Sequence, residues 1–202
     1  MKEKRSTEEG ILEVAKSVFL EKGFAGARMQ MIADKAGINS AMLHYYFRSK
    51  EKLFELIMFE TFSKFMKSIA AVINDERTTL EEKVELITAN YIELITAEPE
   101  IPLFIMSEIR SNPTRLLERL PPKNIMQSVL IKQYQQGVSE GKIKEQNPLH
   151  FIMNLTGLIL YPFIASPLVM KVGNLKSRQF EKLMEERKEL IPIWVKAMFK
   201  AK

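Results

Sequence analysis

Between positions 28 and 50 the chain carries side chains suited to reading or holding a polyanion. Gln30, Asn39, Ser40, Ala41 and Met42 are candidates for base edges or their approach. Glutamine and asparagine amides can pair bidentately with adenine. Tyr45 and Tyr46 offer hydroxyls to phosphates at a groove edge, and His44 stands beside them as an interface residue. Other chemistry has little to work with. The 202 residues include no cysteine, which excludes disulfides, thiolate nucleophiles, iron–sulfur clusters and Cys-based zinc sites. The second histidine, His150, is remote in sequence from His44, so neither is expected to ligate a metal. No Ser/His/Asp or carboxylate constellation stands out, and neither an enzyme nor a bound cofactor is expected.

These residues need elements that hold them in place. A short helix is expected from about Arg28 to Lys35, with Met29, Ile32, Ala33 and Ala36 inward. A second is expected from Asn39 or Ser40 through Tyr46. Ala36-Gly37-Ile38-Asn39 reads as the turn between them. Ala33 is small where the helices must approach, Gly37 permits the turn, and Ile38 and Leu43 lock the second helix onto the first. This is the helix-turn-helix pattern. It leaves the other face of the second helix free to enter a DNA major groove.

Helical periodicity extends along the rest of the chain, and no alternating strand pattern is convincing. A first helix is expected near Ser6, with Ser6 and Glu9 as a capping box. It carries Ile11, Leu12, Ala15, Val18 and Phe19, and Gly23 stops it. Ser49 is expected to cap a helix running to about Ile73. Thr79 with Glu82 forms another capping box. A short helix over Leu103–Arg110 precedes Asn112-Pro113. Pro121-Pro122 separate two more helices, the second ending near Gly137 or Gly141. Asn147-Pro148 is a cap with a proline at the first helical position. Ser177 opens a last helix that Pro192 kinks. The fold class is all-α, with about nine helices.

The run Ile32-Ala33, Ala36-Gly37-Ile38 and Leu43-His44-Tyr45-Tyr46-Phe47-Arg48-Ser49-Lys50-Glu51-Lys52-Leu53 resembles the tetracycline-repressor (TetR) family of bacterial transcription regulators. Phe19 and Gly23-Phe24 also sit where that family has a helix-one aromatic and a Gly-aromatic stop. The resemblance covers about Ile11 to Phe54. It implies a three-helix DNA-binding domain over residues 1–53 and a helical ligand-binding and dimerisation domain over 54–202. It further implies a homodimer on a palindromic double-stranded operator, released by a small, often hydrophobic ligand. By the same resemblance Lys50 contacts phosphate. Ala27-Arg28 replace the family's frequent Thr-Thr, so Arg28 stands in for a hydroxyl at the phosphate. His44 replaces a usual tyrosine. Ala41-Met42 make base readout there apolar, as against a thymine methyl.

Charge and composition agree with this division. The net charge is +5, and residues 1–53 carry ten Lys/Arg against seven Asp/Glu. Residues 54–202 hold nine of the twelve phenylalanines and eight of the twelve methionines. Methionine adapts to irregular ligand shapes. Phe59, Phe62, Phe104, Met126, Tyr134 and Met153, with Asn90, Tyr91, Gln127 and Asn154 as polar partners, are candidates for an apolar ligand cavity. The 25 residues 146–170 hold no formal charge. Their prolines and polar groups favour a buried helix over a membrane span. Residues 148–170 and 177–200 are the expected dimer surface. No leader is read at the N-terminus, which with the absence of cysteine fits a cytoplasmic chain. The competing reading is a helical ligand-binding or interaction protein whose helix-turn-helix is only packing.

Overall fold

The computed structural model describes residues 2–111, 114 and 125–200, with side chains from residue 7 onward except at 107, 108 and 111. Among the described residues there are ten α-helices and no strand. They are α1 (Lys2–Gly26), α2 (Met29–Lys35), α3 (Ser40–Phe47), α4 (Lys50–Asn74) and α5 (Leu80–Ala97). Next come α6 (Ile101–Ser111), a single 3-10 turn (Ile125–Gln127) and α7 (Val129–Ser139). The last are α8 (Pro148–Ile164), α9 (Ser166–Val172) and α10 (Ser177–Met198). Asn112-Pro113 and Pro121-Pro122 lie outside the described residues.

Two compact units result, Met1–Lys64 and Phe65–Lys202, meeting inside α4. The division falls later than position 53, within α4. In the first unit α1 begins at Lys2, so Ser6 and Glu9 stand inside the helix and do not cap it. Gly23 breaks it, as expected, with φ 65° and ψ 171°. Ile11, Ala15, Val18 and Phe19 form its buried stripe. Phe19, Phe24 and Phe54 pack ring against ring, with centroids 4.8 Å apart for Phe24 and Phe54 and 5.0 Å for Phe19 and Phe54.

In the second unit α5 lies against α10, α8 and α7. Its N-terminus has the capping box expected: the Glu82 amide donates to the Thr79 hydroxyl, and the Thr79 amide donates to the Glu82 carboxylate. Lys83 follows at a core position and is buried. Its ammonium donates to the carbonyls of Asp75 and Thr78, each at 2.6 Å, and to the Thr78 hydroxyl at 2.8 Å. All three protons are thereby used. Burial pushes the ammonium pKa down. Gln133 of α7 donates to the same Thr78 carbonyl at 2.8 Å. The α4–α5 connection is therefore held from two helices by donors to its Asp75 and Thr78 carbonyls.

The uncharged stretch folds as α8 and α9, bent by 72° at their junction. Among the described residues no single helix is long and apolar enough to cross a membrane. Asn147 caps α8 by accepting from the Leu149 amide, with Pro148 at its start. Pro162 lies within α8 and has no N–H, so the Leu158 carbonyl four residues earlier loses its helical donor. Arg187 of α10 replaces it, donating from Nη2 to that carbonyl at 2.7 Å. The guanidinium lies 5.1 Å from the centroid of the Trp194 ring. Burial pushes its pKa down from the usual range. Arg187→Met is expected to cost about 1–3 kcal/mol, since the buried carbonyl loses a charged donor. In a Pro162→Ala background the restored amide should take that carbonyl and reduce the loss by about 1 kcal/mol. Urea unfolding of the four proteins measures this, and equal losses in both backgrounds would contradict it.

Candidate nucleic-acid interface

The two short helices are fixed to each other by small, buried residues. Ile32 and Ala33 of α2 and Leu43 of α3 are each fully buried, and Phe47 nearly so. Gly37 carries the turn with φ 68°, a conformation that side chains resist. The Ile38 amide closes it by donating to the Ala33 carbonyl at 3.0 Å. Asn39 caps α3, its side-chain oxygen accepting from the Met42 amide at 2.7 Å. With Leu43 and Phe47 inside, the outward stripe of α3 is Ala41, His44, Tyr45 and Arg48, all exposed. Tyr45 is 71% exposed, the most open aromatic among the large apolar residues at the surface. Tyr46 and Met42 are half-buried.

Several expected contact residues have internal partners. Gln30 donates from Nε2 to Asp34 at 2.7 Å and accepts from the Ser40 hydroxyl at 2.5 Å. Both ends of its amide are engaged, so bidentate pairing with adenine would require breaking this bridge between α2 and α3. Asn39 uses its oxygen as the cap. Lys35 donates to the Ser17 hydroxyl at 2.8 Å and pairs with Glu21 at 3.8 Å, which ties α2 to α1. Arg28 stands exposed at the N-cap position of α2 and makes no side-chain cap.

Lys50 has the largest change of role. Its ammonium donates to the Phe24 carbonyl at 3.0 Å and the Ala27 carbonyl at 3.2 Å. It also lies 4.4 Å from the centroid of the Phe24 ring. It is half-buried and latches the end of α1 to the start of α4. Two of its three protons serve the fold. Ser49 caps α4 as expected, accepting from the Lys52 amide at 3.2 Å. Lys50→Met is expected to destabilise the first unit by about 1–3 kcal/mol. It should also weaken DNA binding about equally for unrelated duplexes. A thermal melt with anisotropy titrations on two duplexes tests both, and an unchanged melt would contradict the latch.

The end of α3 escaped the sequence. Arg48 has φ 59° and ψ −49°, and the Ser49 amide donates back to the Phe47 carbonyl at 2.6 Å. That is a γ-turn with positive φ, a strained conformation for a residue with a side chain. His44 Nδ1 lies 3.0 Å from the Arg48 carbonyl oxygen. Histidine four residues before a helix end was the available signal, but nothing in the sequence marked the turn.

The ligand candidates scatter. Phe59 and Phe62 are buried and belong to the first unit. In the second, Phe104 is buried, Asn90 and Met126 are half-buried and Gln127 is exposed. Tyr91 packs edge-on against Phe65, with ring centroids 4.4 Å apart. Tyr134 is buried and donates its hydroxyl to the Glu145 carbonyl at 2.8 Å. Tyr134 and Asn154 share a cleft of about 260 Å³ with Glu145, His150, Phe151 and Met198. The remaining candidates are not brought to this cleft. Met153 is 57% exposed and points away from a core role. Of the ten candidates, Tyr134 and Asn154 line this cleft.

Burial pushes the Tyr91 phenol up to about 12, from an ordinary value of 10.0. Below pH 10 the phenol is neutral in both folded and unfolded chains. Between 10 and 12 the unfolded chain loses the proton while the folded one keeps it. Stability should therefore fall as pH rises through that window. Tyr91→Phe should remove this part of the alkaline loss, while Tyr134, also raised by burial, remains common to both proteins. Unfolding free energies from pH 9 to 12 check it, and parallel curves would contradict it.

The model for bacterial regulatory proteins of the tetR family matches residues 11–57, the segment that builds α1 to the start of α4. A probable HTH-type transcriptional regulator, YttP of Bacillus subtilis (strain 168), is 27% identical over 209 aligned positions, covering 98% of this chain and 96% of that protein. The chain is similar to TetR-family transcriptional regulators, with the family model matched at its helix-turn-helix segment and one such regulator matched along nearly its whole length. Two solved structures share the regulator's fold. One is a TetR/AcrR-family regulator from Thermobifida fusca YX-ER1, with a TM-score of 0.63, 18% identity and coverage of 92% of this chain and 96% of that one. The other is the regulator FadR from Bacillus subtilis in complex with stearoyl-CoA, with a TM-score of 0.56, 21% identity and coverage of 91% and 96%.

Proposed function

We propose that the regulator is a homodimeric repressor that binds a palindromic operator through α3 and is released by a small apolar ligand. The observation that carries the DNA part is the exposed stripe Ala41, His44, Tyr45 and Arg48 on a helix locked by Leu43 and Phe47. A helix held by one face and open on the other fits a major groove. Ala41 lets the helix approach closely, while Tyr45, Arg48, Arg28 and the third proton of Lys50 serve phosphates. Ser40 and Gln30 act through each other as a brace between the helices.

Pairing through α8 and α10 is supported by their outer faces. Leu149 and Met153 of α8 and Leu183, Leu190 and Ile193 of α10 are large apolar residues left exposed. Leu149, Met153 and Ile193 lie on the sides away from the buried Phe151, Leu155, Met184 and Ile191, and Leu183 and Leu190 flank the buried stripe of α10. Met153 thereby moves from the ligand candidates to the pairing face. An apolar ligand is supported by the stearoyl-CoA held by FadR. The test is an anisotropy titration of labelled duplex with and without a long-chain acyl-CoA, paired with a thermal melt. Ligand should raise the melting temperature and lower DNA affinity. If neither acyl-CoA nor a broad set of apolar compounds changes either quantity, the ligand-release reading fails.

A further inference from the structure

We propose that His44 reads an exocyclic amino group in the major groove, adenine N6 or cytosine N4, through an Nε2 held as a hydrogen-bond acceptor by the Arg48 carbonyl. This rests on α3 being the reading helix. A carbonyl oxygen only accepts, so the contact at 3.0 Å places the proton on His44 Nδ1. In the neutral ring the other nitrogen, Nε2, is then an acceptor. The strained turn at Arg48 and the helix itself fix both partners of this bond, so the ring does not choose its tautomer freely.

His44 is exposed and stands one turn along α3 from Ala41, on the same stripe. Ala41 carries only a methyl group, which leaves room for the base pair beside it. In the major groove guanine shows the acceptors O6 and N7, and thymine shows O4. An acceptor set against these is repelled. Adenine and cytosine show amino donors and are the bases such a nitrogen selects. Gln30 and Ser40 do not compete for the role, because they are bonded to each other.

The test is selection from random duplexes by the full chain and by His44→Ala, followed by base analogues. The parent should enrich one base pair at a symmetric position in each half-site, and the analogues show whether its amino group is what is read. His44→Ala should lose that preference and keep the rest of the consensus. Purine in place of that adenine, or 2-pyrimidinone in place of that cytosine, removes only the amino group and tells the two bases apart. The change should weaken the parent about fivefold per half-site and leave His44→Ala unaffected. The analogue arm uses the unaltered protein, so it stands even if the variant folds poorly. An unchanged consensus in His44→Ala, or no loss with the analogues, would overturn the assignment while leaving DNA reading intact. Failure of the parent to enrich any sequence would overturn the DNA-reading account and this assignment with it.

Discussion

Leu43→Ala is expected to abolish sequence-selective DNA binding while the second unit stays folded. Leu43 is fully buried, as are Ile32 and Ala33 of the neighbouring helix. Truncating a buried leucine costs about 2–5 kcal/mol, the lost transfer energy plus the cavity left behind. The first unit is Met1–Lys64, and a unit of that size has little stability to spare. For a domain of this length each kcal/mol moves the melting temperature by roughly 4–8 °C. A drop of at least roughly 10 °C in the first transition of a melt is therefore expected, with the transition of the second unit in place. An exposed control, Ala41→Ser, should leave the melt unchanged and alter only DNA preference. Parental melting and affinity in Leu43→Ala would show that α3 is not held by this contact.

Placing glutamate at both Met153 and Ile193 is expected to convert the dimer to a monomer and to lower operator affinity by about 100-fold or more. Met153 is 57% exposed and Ile193 61% exposed, so neither substitution disturbs a core. In a dimer both side chains would be covered, and a buried unpaired carboxylate is among the costliest changes available. A monomer binds one half-site and loses the gain of simultaneous engagement. Light scattering gives the mass, and anisotropy gives the affinity. A double variant that remains dimeric, or a monomer that binds as tightly as the parent, would contradict the proposed pairing.

The parts of the fold that depend on short-range chemistry were legible in advance. Ser49 before α4, Thr79 with Glu82 and Asn147 with Pro148 all cap as their residue types require. Gly37 at the turn and the inward Ile32, Ala33 and Leu43 likewise follow from spacing alone. The misses involve partners distant in sequence. Lys50 reaches carbonyls 23 and 26 residues away, so its position at a helix start suggested only solvent or phosphate. Arg187 reaches Leu158, 29 residues away, and only Pro162 hinted that a carbonyl there needed a donor. Lys83 carried a readable signal, a lysine spaced with Leu80, Val84 and Ile87 on an apolar stripe. Ser6 with Glu9 had the right types but stood within a helix already begun at Lys2. The ligand site was least legible because aromatic and methionine side chains serve cores and cavities alike.

In the proposed function α3 reads a symmetric operator as part of a dimer. Selection of bound fragments from random duplex DNA by the purified full chain at moderate salt tests it most directly. Strong enrichment of an inverted repeat is expected, with affinity falling as salt rises because phosphate contacts displace counterions. Recovery of unselected sequence, or of a single half-site without symmetry, would contradict it.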